Sequence, residues 1–199
     1  MKDVDIIVGR LQPATLGHQS LLEALYKENG YPVVLCLIHN TKFDVKHPFD
    51  DKLIEKEINT CWKGKDFYQD IIWMKNAAID KIGEELKKKE YSAHLWGCGT
   101  DREKMYKAMA SNPKYITDFP DDFKVFVVKR DDTSSAVDGI SATKVREAIK
   151  SDDKAEFVKM MPDGAEKLFD EFKEALSKVN ESHCSLEDYI DNNNLFDID

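Results

Sequence analysis

The sequence has no long hydrophobic run, little cysteine and no excess of basic charge, and each shortage removes a class of protein. Its longest apolar stretch, Val33–Ile38, is far short of the ~20 residues that cross a bilayer, so no membrane-spanning segment is expected. The opening MKDVDIIVGR brings only three apolar residues together before Gly9, too few for the core of a secretory leader. The four cysteines, Cys36, Cys61, Cys98 and Cys184, form no C-x-x-C pair and have no histidine at zinc-finger spacing. A disulfide or zinc scaffold is therefore not expected. They read as reduced thiols of a cytoplasmic protein. Internal repeats, low-complexity tracts and Gly/Ser linkers are also missing. With 199 residues, 42% of them hydrophobic and 34% charged, the chain is long and apolar enough to bury its own core.

Charge is scarce in one place and concentrated in another. The net charge is -9, from 29 Lys+Arg against 38 Asp+Glu. Residues 180–199 carry six acids and no Lys or Arg, so the rest stands at 29 against 32, or -3. The body offers no large basic face, and non-specific nucleic-acid binding is not expected. The expected division is a domain over 1–179 and an acidic tail over 180–199. Leu186, Tyr189, Ile190, Leu195 and Phe196 in that tail leave two readings open. One is a frayed end; the other is a docking segment for a protein partner or a second copy of the chain.

What is present is alternation. Asp5–Val8, Val33–Ile38, Asp70–Met74, Ala93–Trp96 and Lys124–Val128 read as strands. Helical patterns cover Gln19–Lys27, Phe49–Trp62, Asn76–Lys89, Arg102–Ala110, Thr143–Lys150 and Ala165–Val179. Strand Val33–Ile38 is apolar throughout, as in a parallel sheet covered on both faces. The expected fold is α/β: a Rossmann-like open parallel sheet with helices on both faces and a C-terminal helical segment. Ligands of such sheets bind beyond the strands' carboxyl ends. Those segments are Gly9–His18, His39–Phe49, Gly97–Arg102 and Lys129–Arg146.

The first of them reads GRLQPATLGH. Gly9 is expected to let the chain leave its strand, and Gly17 to let a ligand approach the backbone. Thr15 and His18 lie three apart at a helix start, so both can face one point. Helix-start amides attract an anion, and Arg10 adds a planar cation suited to phosphate. A Thr15 that merely caps the helix, beside a surface His18, is the plainer alternative. The last segment contains Ile140-Ser141-Ala142-Thr143-Lys144-Val145-Arg146. Its hydroxyls can cap a helix or hold phosphate oxygens, and Arg146 can reach the same face.

Together these stretches resemble a family. GRLQPATLGH is similar to the G-R-F-Q-P-x-H-x-G-H signature of nucleotidyltransferases related to nicotinamide-mononucleotide adenylyltransferase, with Leu11 for Phe and Thr15 for the first His. Pantetheine-phosphate adenylyltransferases also carry Thr at that place. Residues 140–146 resemble the I-S-x-T-x-x-R signature. Lys46-His47-Pro48-Phe49 looks like the phosphate-contacting K-N-P-[FL] segment, and Gly97-Cys98-Gly99-Thr100-Asp101-Arg102 like G-x-G-[ST]-D-R. Phage-encoded cytidylyltransferase-like proteins are similar as well, with Val128-Lys129-Arg130-Asp131 before the second signature. The resemblance spans roughly residues 4–176 and does not include the tail.

The resemblance implies transfer of AMP from ATP to a phosphomonoester, foremost nicotinamide mononucleotide, giving NAD and pyrophosphate. It implies His18, Lys46 and Arg146 as catalytic residues. Gly9, Arg10, Gln12, Thr15, Gly17, Ser141 and Thr143 are implied to hold the nucleotide. Asp70, Trp73, Gly97, Asp101 and Arg102 are implied to hold the acceptor. No protein metal site is implied; Mg²⁺ would enter with ATP. An acceptor phosphate is already largely a dianion near neutrality, its second pKa being about 6, so no general base is needed. CTP in place of ATP, or an acceptor giving FAD or dephospho-coenzyme A, is the alternative within the class. Outside it stands a non-catalytic nucleotide-binding module with a docking tail. An aminoacyl-tRNA synthetase is disfavoured, because there is no K-M-S-K-S segment and no room for an anticodon domain. Cys98 is given no covalent role but is expected to be open to alkylation.

Overall fold

The computed structural model describes residues 1–128 and 139–182. Among them, five strands form one parallel sheet in the order β3-β2-β1-β4-β5. The strands are β1 (Lys2–Gly9), β2 (Val33–Ile38), β3 (Tyr68–Met74), β4 (Tyr91–Gly99) and β5 (Lys124–Val128). The helices are α1 (Leu16–Asn29), α2 (Asp51–Trp62), α3 (Ile79–Lys88), α4 (Glu103–Ala110), α5 (Ala142–Lys150), α6 (Lys154–Met160) and α7 (Phe169–Ser182). This is the Rossmann-like α/β architecture expected from the alternation. Among the described residues, no helix is long and apolar enough to cross a membrane.

The two-residue period of the strands builds two cores. On one face Val4, Ile6 and Val8 of β1, with Val34 and Cys36 of β2, pack under α3 and α4. On the other, Ile7, Val33, Leu35 and Leu37 meet α1, α2 and α5 to α7. Both faces are covered, which is why β2 carries no polar alternation.

The elements differ from expectation in instructive places. Strand β4 runs on through Gly97, Cys98 and Gly99, which read as loop in the sequence. Gly97 pairs with Ile7 on one side and Phe126 on the other. A Cβ at Gly97 would stand 2.5 Å from Leu25 Cδ1, so glycine is what allows α1 to lie against the strand. Gly9 was expected to need a conformation other residues resist. Instead it ends β1 in ordinary strand geometry, and a Cβ there would meet nothing within 4 Å. Helix α6 was not expected at all. It has seven residues, opens at Asp153, whose carboxylate accepts the Glu156 N–H at 2.9 Å, and buries only Phe157 and Met160. Two apolar positions are too few to display a helical period. The expected Ala165–Val179 helix begins as a 3-10 turn over Ala165–Leu168 and continues as α7 to Ser182. The expected contributions of 129–138 and of the acidic tail from 183 onward lie outside the described residues. So does Cys184; Cys36, Cys61 and Cys98 are unpaired.

One buried charge sits in the sheet. Where β1 and β4 slip register between Val4 and Ile6, Asp5 Oδ1 accepts the Leu95 N–H at 3.0 Å and an Asn29 side-chain N–H at 3.1 Å. Oδ2 has no hydrogen-bond partner. Burial pushes the Asp5 pKa up to about 6, against the lowering pull of those two bonds and of His94. The folded protein thus holds this proton more tightly than the unfolded chain. Its contribution is therefore fully present below the ordinary carboxylate pKa and is lost as pH rises through about 6. Two units correspond to about 3 kcal/mol. Asp5→Asn, which keeps the oxygen that serves Leu95, is expected to be more stable than the parent at pH 8 and no more stable at pH 4. Urea titrations at the two pH values measure this; equal gaps at both would refute the account.

Candidate active site

A cleft of about 620 Å³ opens at the carboxyl ends of β1 and β4, where the strand order reverses. Its walls include Gly9 at the end of β1, Arg10 and Gln12 after it, His18 on α1, and Lys46 and His47 after β2. Gly97, Asp101 and Arg102 come from β4 and the turn beyond it, and Thr143 and Arg146 from α5. These are parts of all four segments singled out in the sequence.

The hydrogen bonds explain how the walls are held. Thr15 is the N-cap of α1 and is buried. Its backbone N–H donates to His18 Nδ1 at 3.0 Å, and its hydroxyl lies 3.0 Å from the same nitrogen. A nitrogen that accepts from a backbone amide must carry its lone pair, so the neutral ring bears its proton on Nε2. Burial lowers the His18 pKa to about 4. At neutral pH the residue therefore offers an uncharged Nε2–H donor on the edge not used by Thr15.

Arg146 joins the two signatures. One guanidinium nitrogen donates to the Gln12 carbonyl at 2.6 Å, and another to Thr143 Oγ1 at 3.2 Å. Ser141 is the N-cap of α5, its Oγ accepting the Lys144 N–H at 3.2 Å. The Gln12 side chain is turned away from a ligand role. Its amide donates to the Phe49 carbonyl at 2.9 Å while its oxygen accepts the Phe49 N–H at 3.0 Å. It thus pins the first loop to the segment bearing Lys46 and His47. Asn40 closes that segment on itself, donating to the carbonyls of His47 at 2.8 Å and Phe49 at 3.0 Å.

The structure gathers Gly9, Arg10, Gln12, His18, Lys46, Gly97, Asp101, Arg102, Thr143 and Arg146 around the cleft. It does not bring the others to the cleft wall. Thr15 and Ser141 stand behind it as caps, and Gly17 is in the first turn of α1. Asp70 pairs with Val34 near the amino end of the sheet, where it binds Lys89 Nζ at 2.8 Å. That is the end opposite the cleft, which removes it from acceptor binding. Trp73 stacks on His39, with ring centres 5.4 Å apart, and its N–H donates to Glu55 at 3.3 Å. Cys98 lines the cleft but is buried, and burial pushes its thiol up to about 11. The thiolate that alkylation needs is thus scarce near neutrality.

The sequence reading missed Tyr106 in the cleft wall, and within Lys46-His47-Pro48-Phe49 it gave a role to Lys46 alone, although His47 lines the cleft as well. It also missed the buried Glu57, which binds the first loop from behind: its carboxyl accepts the Ala14 N–H at 3.1 Å. The signal was available, since Ile54, Glu57, Ile58 and Cys61 share one face of α2 and all are buried. Among the described residues, no group of three or more His, Cys, Asp or Glu could hold a metal ion. Among the described residues, Asp101 is the one carboxylate in the cleft wall.

No family model matches the sequence, and no curated protein does. Solved structures do. Thermotoga maritima TmcAL bound with alpha-thio ATP superposes with a TM-score of 0.55 at 10% identity, over 91% of this chain and 56% of that one. Plasmodium falciparum nicotinic acid mononucleotide adenylyltransferase complexed with APC gives 0.53 at 15% identity, over 90% and 96%. The chain thus spans a little over half the length of TmcAL. The likeness is one of fold alone: the same open parallel α/β architecture.

Proposed function

We propose that the protein is a nucleotidyltransferase that transfers AMP from ATP to a phosphomonoester, with a pyridine mononucleotide such as nicotinamide mononucleotide as the foremost acceptor. The observation that carries this reading is the convergence of the His18 Nε2–H with Arg10, Lys46 and Arg146 on one cleft. Those groups suit a reaction in which charge builds on phosphate oxygens and positioning does most of the work. The acceptor dianion attacks the α-phosphate, the bond to the β-phosphate breaks, and pyrophosphate leaves. His18 donates a hydrogen bond to the α-phosphate as it becomes crowded with charge. Arg146, tied to the first loop and to Thr143, places its guanidinium at the triphosphate. Magnesium arriving with the nucleotide neutralises phosphate charge when bound. Among the described residues Asp101 is the one carboxylate in the wall, so that magnesium would be held largely by phosphates and water.

Within the acceptor, Arg10, Gln12 and Pro13 support a pyridine mononucleotide over phosphopantetheine, whose enzymes usually read G-[ST]-F-D-P there. The Plasmodium falciparum neighbour acts on nicotinic acid mononucleotide by its name, which supports the same group of acceptors. Pyrophosphate release decides the matter, with ATP or CTP offered against nicotinamide mononucleotide, nicotinic acid mononucleotide, flavin mononucleotide and phosphopantetheine. ATP with a pyridine mononucleotide is expected to react fastest. Release with another acceptor or with CTP would keep the class and change the substrate. ATP binding without release from any acceptor would make the chain a nucleotide-binding module.

A further inference from the structure

We propose that Glu57 is a positioning residue for the cleft: its buried carboxyl fixes the backbone at Ala14, so that the adjoining Thr15 amide holds His18 in the tautomer that faces the substrate. This rests on the reading of the cleft as a site of nucleotidyl transfer, but the contacts stand apart from it. Glu57 lies in the middle of α2, fully buried, behind the first loop. Its Oε2 accepts the Ala14 N–H at 3.1 Å. Its Oε1, also buried, has no hydrogen-bond partner. Burial drives the carboxyl's pKa well above its ordinary value.

A carboxyl is a costly residue to bury for one hydrogen bond, and an apolar side chain would fill α2's inner face as well. What an apolar side chain cannot do is accept from Ala14. The next amide in the chain, that of Thr15, donates to His18 Nδ1. The buried carboxyl, two successive amides and the imidazole therefore form one line from α2 to the cleft. Without the acceptor at position 57, Ala14 is left with a buried unpaired N–H and its backbone turns to satisfy it. Thr15 N–H then leaves Nδ1. The ring is free to carry its proton on Nδ1, which presents a lone pair on Nε2 to a phosphate oxygen.

The test uses the full chain, ¹⁵N-labelled, in three forms: the parent, Glu57→Gln and Glu57→Met. Glutamine keeps a carbonyl acceptor; methionine keeps the length and removes the acceptor. Long-range ¹H–¹⁵N spectra report the His18 tautomer, hydrogen exchange reports the Ala14 amide, and pyrophosphate release reports turnover. Glu57→Gln is expected to keep the Nε2–H tautomer and a protected Ala14 amide. Glu57→Met is expected to show mixed tautomers and faster exchange at Ala14. Its kcat should fall roughly 10- to 100-fold with the KM for ATP little changed, as for other groups that orient a reacting residue. A folded Glu57→Met with the parent's tautomer and Ala14 protection would overturn the proposal. If Glu57→Met does not fold, loss of the Nε2–H tautomer in Glu57→Gln would overturn it instead. If no acceptor supports turnover, the function reading fails alone, because the tautomer and exchange measurements need no substrate.

Discussion

His18→Ala is expected to lower kcat by roughly 10²- to 10³-fold, the usual cost of removing one preorganised donor to a developing oxyanion. The Kd for ATP should change little, because the cleft-wall cations Arg10, Lys46, Arg102 and Arg146 are untouched. The sign of the pH dependence separates two versions of this role. With a folded-state pKa of about 4, the imidazole is uncharged across the neutral range. The rate should therefore stay level as pH rises from 6.5 to 8. An imidazolium acting as the donor would give a rate that falls through the ordinary histidine pKa. Any rise from pH 5 to 6.5 belongs to the acceptor phosphate and should move with the acceptor, not with the enzyme variant. The measurement is a pH–rate profile for two acceptors, with ATP binding by calorimetry. Near-parental turnover in His18→Ala would end the proposed mechanism.

Phe172→Ala is expected to cost about 3–5 kcal/mol of stability, the range for deleting a buried phenyl ring. For a chain of this size, that corresponds to a fall in Tm of about 10 °C. Phe172 is fully buried on α7 and meets Phe49 edge-on at 4.8 Å and Phe157 at 6.0 Å between ring centres. It therefore locks α6 and α7 to the segment that bears Lys46. Phe49 is itself clamped by Gln12, so the ring backs the cleft's wall. Some weakening of ATP binding should accompany the loss of stability. Thermal and urea unfolding measure the effect, and a loss below about 1 kcal/mol, a typical surface value, would show that α7 is peripheral to the domain.

The sheet was legible because parallel strands covered on both faces leave an unbroken apolar run, and Val33–Ile38 is one. The cleft was legible because phosphate chemistry uses few residue types in a fixed order, and four such clusters followed four strands. The end of the sheet at which Asp70 stands was legible too: it opens the strand read as Asp70–Met74, so in a parallel sheet it lies at the amino end, away from the cleft, and its acceptor role came from the resemblance alone. The role of Gln12 was hidden because an amide can serve a ligand or a backbone equally well, and Phe49 takes both of its hydrogen bonds. Glu57 was hidden by its neighbours. In the run Glu55-Lys56-Glu57 it looks like part of a charged surface, and its burial follows only from the face it shares with Ile54, Ile58 and Cys61.

The bond from Arg146 to the Gln12 carbonyl spans 134 positions of sequence. In a growing polypeptide, its two halves are made at different times. At about 5–20 residues per second, the first loop waits on the order of ten seconds for the guanidinium that closes the cleft. Until α5 leaves the ribosome, the nascent chain has the amides of the first loop but neither Thr143 nor Arg146. The two signatures are therefore joined only once α5 has emerged, rather than strand by strand.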